Sequence, residues 1–117
     1  MRFEFSFRHM DSSESLENYT IEKVGQSLER FLDQSFLCHT TFSVEGNRHC
    51  VHMGVHGEGH HRFESDASTD DMYASIEKVT SNLRKLLLKS KEKMKHHKGH
   101  EPLHEIAAHA EEDDDES

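Results

Sequence analysis

The chain opens on a strict alternation. Phe3, Phe5 and Phe7 fall on one side and Arg2, Glu4, Ser6 and Arg8 on the other, the period of a half-buried strand. The pattern then becomes helical. Asp11 followed by Glu14 has the form of a capping box, and a helix is expected over 12–33. In it Leu16, Val24, Leu28, Phe31 and Leu32 share one face at the helical step of roughly 100° per residue, with Thr20 and Ile21 beside them. Gly25 weakens this helix without dividing it. Alternation returns with Cys38, Thr40, Phe42 and Val44, turns at Gly46-Asn47, and continues through Val51, Met53 and Val55. After a second turn at Gly57-Glu58-Gly59, a weaker strand over 61–67 faces Phe63, Ser65 and Ala67 inward. A last helix begins near Asp70 or Asp71, whose charges suit its positive end, and carries Met72, Ile76, Val79, Leu83, Leu87 and Met94 on one face. It is expected to run to about residue 98, where Gly99 stops it.

The expected order is βαβββα, an α+β fold. The βαβ unit calls for a right-handed crossover and a parallel first pair of strands, and the remaining strands for an antiparallel meander. One face of such a four-stranded mixed sheet covers the apolar stripes of both helices.

Composition limits the function classes. Of the 117 residues 32% are hydrophobic, enough for one small core. No apolar run reaches the length of a membrane span and no apolar segment follows Met1, so a cytoplasmic chain with no membrane partner is expected. Cys38 and Cys50 are too few for a disulfide framework and are expected to be reduced.

The net charge of −9 at first argues against a nucleic-acid partner, but its distribution reverses that impression. Residues 78–98 hold eight Lys or Arg and one acid, Glu92, whereas 99–117 hold eight acids and no Lys or Arg. Such asymmetry reports on partners better than the total does. The chain is therefore divided into a domain over 1–98 and an acidic tail over 99–117, expected to be disordered. The tail suits a solubilising role, or competition with RNA for the lysines that precede it.

On the last helix, with Ile76 at zero, Lys78, Lys85, Asn82, Lys89 and Lys93 fall at roughly 180–260°, a basic ladder opposite the core face. On the first helix Lys23 and Arg30 fall together, flanked by Tyr19 and Gln26, with Glu22 and Glu29 on the other edge. Two adjacent helices are thus expected to give one basic groove wall each, the arrangement a phosphate backbone requires. A solvated polar face is the plain alternative for any Lys-rich helix.

Twelve histidines form the rival signal. Cys50, His52 and His56 share the face opposite Val51, Met53 and Val55, with His60 and His61 just beyond and His9 and His49 as possible neighbours. Cys and His at alternate strand positions suit zinc or copper, so a histidine-rich metal-binding module is the alternative function. No CxxC or HExxH spacing supports it, and no metal or other cofactor is assigned. Catalysis is not expected either. Cys38 and His39, adjacent on a strand, point to opposite faces, and no phosphate loop or nucleophile elbow is present.

The segment Asp70-Asp71-Met72-Tyr73-Ala74-Ser75-Ile76-Glu77 resembles the helix-opening signature D-M-Y-x-A-I-D of the ribosome hibernation-promoting factor family, the ribosome-associated translation inhibitors. Val55-His56-Gly57 resembles that family's third hairpin, and the first strand with His9-Met10-Asp11 and the first helix fits its opening. Ser75 and Glu77 stand where Ala and Asp are common. The resemblance covers about 1–98 and implies the βαβββα fold. It is also similar to a double-stranded-RNA-binding domain, with a different order and mode of binding. It implies a non-enzymatic factor of the short type, monomeric off the ribosome. Such a factor binds the small ribosomal subunit at the rRNA of the decoding centre, across the mRNA channel and the tRNA sites, under stress or in stationary phase. By position, Lys23, Lys85 and Lys89 match the family's basic contacts. Arg30, Lys78, Asn82 and Lys93 join them from the helical-wheel argument.

Overall fold

The computed structural model describes residues 1–57 and 62–96, with side chains through Lys91. Residues 58–61 after Gly57, the expected end of the last helix near residue 98, the tail over 99–117, and the side chains of Lys93 and Met94 lie outside the described residues. The elements run β1 (Arg2–Arg8), α1 (Glu14–Leu28), β2 (Leu37–Glu45), β3 (Arg48–His56), β4 (Arg62–Thr69) and α2 (Met72–His96). The sheet order is β1-β2-β3-β4. β1 pairs with β2 in parallel, while β2–β3 and β3–β4 are antiparallel.

The alternation read from the sequence sets the register. Phe42 lies opposite Val51, and Val51 opposite Ala67, so one row of the sheet is apolar from β2 to β4. The next rows on the same face place Thr40 by Met53 by Ser65, and Cys38 by Val55 by Phe63. Phe5 and Phe7 stack on Phe42, with centroids 6.1 and 4.9 Å away. Leu16, Val24, Leu28 and Leu32 from the α1 segment and Met72, Ile76, Val79, Leu83 and Leu87 from α2 close the core over this one face. The buried hydroxyls of Thr20 and Thr80 are satisfied locally, donating to the carbonyls of Leu16 and Ile76 at 2.8 and 2.7 Å. Ser75 donates to the His49 carbonyl at 2.7 Å, which ties α2 to β3 where the related signature commonly has alanine.

The first helix is shorter than its apolar pattern. Ser13, not Asp11, is its N-cap, and its hydroxyl accepts from the Leu16 amide at 3.2 Å. The turn before it uses His9 in the left-handed region, at φ 61°. The helix ends at Leu28, and the chain tightens there. The Phe31 and Leu32 amides donate to the carbonyls of Leu28 and Glu29, three residues back. Phe31 and Leu32 still reach the core, which is why the apolar period runs beyond the helix. At the start of α2 the Asp71 carboxylate accepts from the Ala74 amide at 3.0 Å, as the acidic opening led one to expect.

Candidate nucleic-acid interface

α1 and α2 pack side by side, with α2 lying over β3 and β4. The seam between them is fixed by specific contacts. The rings of Tyr19 and Tyr73 meet edge to face at 4.8 Å. Glu77 accepts a hydrogen bond from the Tyr19 hydroxyl and pairs with the Lys23 ammonium at 3.7 Å. Lys23 also sits 5.4 Å from the centre of the Tyr19 ring. One to two turns further on, Gln26, Ser27, Glu29, Arg30 and Arg84 border an open groove. At the far end the Lys91 ammonium lies 5.7 Å from the Phe31 ring.

These contacts orient α2 about its axis. Tyr73, Glu77, Arg84 and Lys91 fall at roughly 60–100° from Ile76, and that strip faces α1. Lys78, Asn82, Lys85 and Lys89 fall at roughly 180–240°, on the outer side of α2. The expectation of one basic wall from each helix is therefore corrected. From α1, Tyr19, Lys23 and Gln26 turn toward α2, and Arg30, in the turn after the helix, borders the same groove as Arg84 with Glu29 beside it. The α2 wall is made by Glu77 and Arg84, and the lysine ladder forms a separate outer strip. Lys78 is exposed, and Asn82, Lys85 and Lys89 are half-buried. Lys23 is half-buried and tied to Glu77, whereas Arg30 is exposed just past the end of α1.

Arg84 was missed by sequence reasoning. Its wheel position, next to the core edge, hides it until the neighbouring helix is in place. Its seven-residue spacing from Glu77 is the only signal in the sequence.

The acidic side of the seam raises the pKa of one group. Tyr19 is pushed up to about 12, first by its hydrogen bond to Glu77, then by desolvation and the charges of Glu77, Glu22 and Asp71.

The open face of the sheet carries the histidines. His52 Nδ1 lies 2.7 Å from Asp66 and its Nε2 lies 3.5 Å from Glu64, and His39 lies 3.6 Å from Glu4. The Cys50 thiol is paired with the Ser68 hydroxyl at 3.5 Å. His49, one residue out of phase with these, belongs to the core side, and its Nδ1 is buried without a partner among the described residues. Among the described residues no three His, Cys, Asp or Glu side chains gather as a metal set, and His60 and His61 lie outside them. No helix among the described residues is long and apolar enough to cross a membrane.

A four-stranded βαβββα sheet with two helices on one face is the fold of ribosomal subunit interface proteins. The N-terminal domain of Protein Y from Thermus thermophilus superposes with a TM-score of 0.67 at 18% identity, covering 74% of this chain and 96% of that one. A ribosomal subunit interface protein from Coxiella burnetii superposes with a TM-score of 0.66 at 22% identity, covering 79% and 99%. In sequence, the chain is 29% identical over 93 residues to a ribosome hibernation promoting factor from Azotobacter vinelandii, covering 80% of this chain and 85% of that relative. Residues 3–95 match the family described as Sigma 54 modulation protein / S30EA ribosomal protein. The chain belongs to this family, which is the ribosome hibernation family that its helix-opening segment resembles.

Proposed function

We propose that this protein binds the decoding region of the small ribosomal subunit through the basic faces of α1 and α2. Bound there, it covers the mRNA path and the tRNA sites and inhibits translation under stress. The observation that carries this reading is the rigid two-helix layer. Arg84 stands at its groove and Lys78, Lys85 and Lys89 on its outer strip, all on α2, and Arg30 borders the groove from the turn that follows α1. Basic rows on rigid elements grip phosphates and fix the register of a protein on folded RNA without reading sequence. Family membership and the relative named as a ribosome hibernation promoting factor support the same partner. The reading needs no metal, cofactor or catalytic residue, and it takes the protein as a monomer in the cytoplasm when off the ribosome.

The test is sedimentation with purified ribosomal subunits. The protein is expected to pellet with the small subunit at low salt, to be released steeply as salt rises, and to stop translation in an extract. Each phosphate contact lowers the logarithm of the affinity by roughly 0.7–0.9 per decade of salt in simple nucleic acids. Pelleting with neither subunit nor intact ribosomes at low salt sinks the reading.

A further inference from the structure

The geometry points to a phosphodiester clamp made by Arg30 and Arg84 across the two helices, distinct from the lysine strip on the outer side of α2. This inference rests on the RNA-binding reading and deepens it by naming where the backbone of the RNA is held.

Both arginines are exposed and border one groove, with Gln26 and Ser27 as additional polar groups beside them. Among the described residues neither guanidinium has a carboxylate within ion-pair distance. Lys23, by contrast, is paired with Glu77 further along the same seam. The basic charge of the seam is therefore neutralised at the tyrosine end and left over at the arginine end.

Glu29 also borders the groove, and the carbonyl end of α1 adds the equivalent of about half a negative charge. Two guanidinium charges exceed both together, so the site stays cationic. A guanidinium offers planar, paired donors that match two oxygens of one phosphate, which a lysine does not. Because Arg30 stands in the turn that follows α1 and Arg84 on α2, one bound phosphate bridges the end of α1 to α2.

The experiment compares small-subunit binding of the full chain with Arg30→Gln, Arg84→Gln and the double variant. Arg8→Gln, on the open face of the sheet, removes the same charge elsewhere. Each single change in the groove is expected to weaken binding by about tenfold, the value of one charge-assisted hydrogen bond. Because the two arginines share one phosphate, the salt slope should fall by roughly 0.7–0.9 only in the double variant, and by less in either single variant. Since both arginines hold one phosphate, the double variant should lose less than the product of the two single losses. Arg8→Gln should change binding less than twofold.

Equal effects of Arg8→Gln and Arg84→Gln, no effect of Arg84→Gln, or strictly multiplicative losses would overturn the clamp while leaving ribosome binding intact. If the wild-type chain binds no ribosomal particle, the functional reading falls. The clamp is then decided by titration with a short single-stranded oligoribonucleotide: selective shifts of the Arg30 and Arg84 Nε–H resonances uphold it, and their absence overturns it.

Discussion

The ring of Phe36 lies directly over Gly57: a Cβ on Gly57 would meet the ring Cζ at 2.9 Å and Cε1 at 3.0 Å. The two residues stand one step beyond the pair Leu37–His56, at the end of the β2–β3 ladder. The carbonyl of Phe36 also accepts from the Arg2 amide at 2.9 Å, which anchors the start of β1. The glycine is thus the space into which the ring packs, and the ring closes one end of the core.

Gly57→Ala is expected to displace the ring and destabilise the fold by roughly 1–3 kcal/mol, the usual cost of overpacking. For a domain of this size each kcal/mol lowers Tm by about 4–8 °C. Phe36→Leu, which removes the far edge of the ring, should absorb most of the added methyl group. In that background Gly57→Ala should cost much less. Equal Tm losses in the two backgrounds would show that the contact between ring and glycine does not set the requirement.

The two thiols should behave differently. Cys38 is fully buried and pushed up to about 11, first by desolvation, with a small opposing effect from Thr40. Since the thiolate is the reactive form, Cys38 should not react with a thiol reagent in the native state. Cys50 is half-exposed on the open face of the sheet and should react at neutral pH. One equivalent of rapid reaction, abolished in Cys50→Ser and doubled on unfolding, is the expected count. Rapid native reaction of the Cys50→Ser protein would contradict the burial of Cys38.

Tyr19 offers a pH test of the helix seam. With Tyr73→Phe as background, Tyr19 is the sole tyrosine, and its phenolate can be followed by ultraviolet absorbance. Its value of about 12 should fall toward the ordinary value near 10 when Glu77→Ala removes the hydrogen bond and the charge. The sign of the linked stability follows from the raised value in the folded state. The contribution is complete below pH about 10 and is lost as pH rises through about 12. The parent should therefore lose stability more steeply than Glu77→Ala over that interval. An unchanged Tyr19 titration in Glu77→Ala would mean that Glu77 is not its partner in solution.

The strands could be read in the sequence because burial on one face imposes period two. Phe3, Phe5 and Phe7 on β1 and Val51, Met53 and Val55 on β3 all lie on the core side. The end of α1 could not be read, because Phe31 and Leu32 stay in phase with the core after the backbone has tightened past Leu28. Its start was misplaced because Asp11 and Ser13 are both competent caps, and only backbone geometry chooses between them. The basic positions could be listed from a helical wheel, but their grouping could not. Whether Lys23 faces a phosphate or Glu77, and whether Arg30 faces Arg84 or Lys85, depends on how α2 is rotated against α1. That rotation is set by the contacts of Tyr19, Tyr73 and Glu77 between elements far apart in the sequence.

The rotation of α2 also separates two kinds of lysine on the same helix. Lys85 and Lys89 lie one turn apart on the outer strip, more than 80° or so around the axis from the residues that touch α1. Lys91 points the other way and rests over the Phe31 ring, a contact worth about 0.5–1 kcal/mol at an exposed site. Reversing charge at Lys85 and Lys89 leaves the core residues Ile76 and Leu83 untouched, so the double variant Lys85→Glu, Lys89→Glu should melt near the parent. On the proposed reading it should nevertheless lose most small-subunit binding, because two attractions to phosphate would become repulsions. Lys91→Glu should do the opposite, lowering Tm by a few degrees through loss of the ring contact while keeping most of the binding. Melting curves and pelleting assays on the two variants separate these outcomes. Equal binding losses would mean that only total charge matters and that the outer strip has no geometric role.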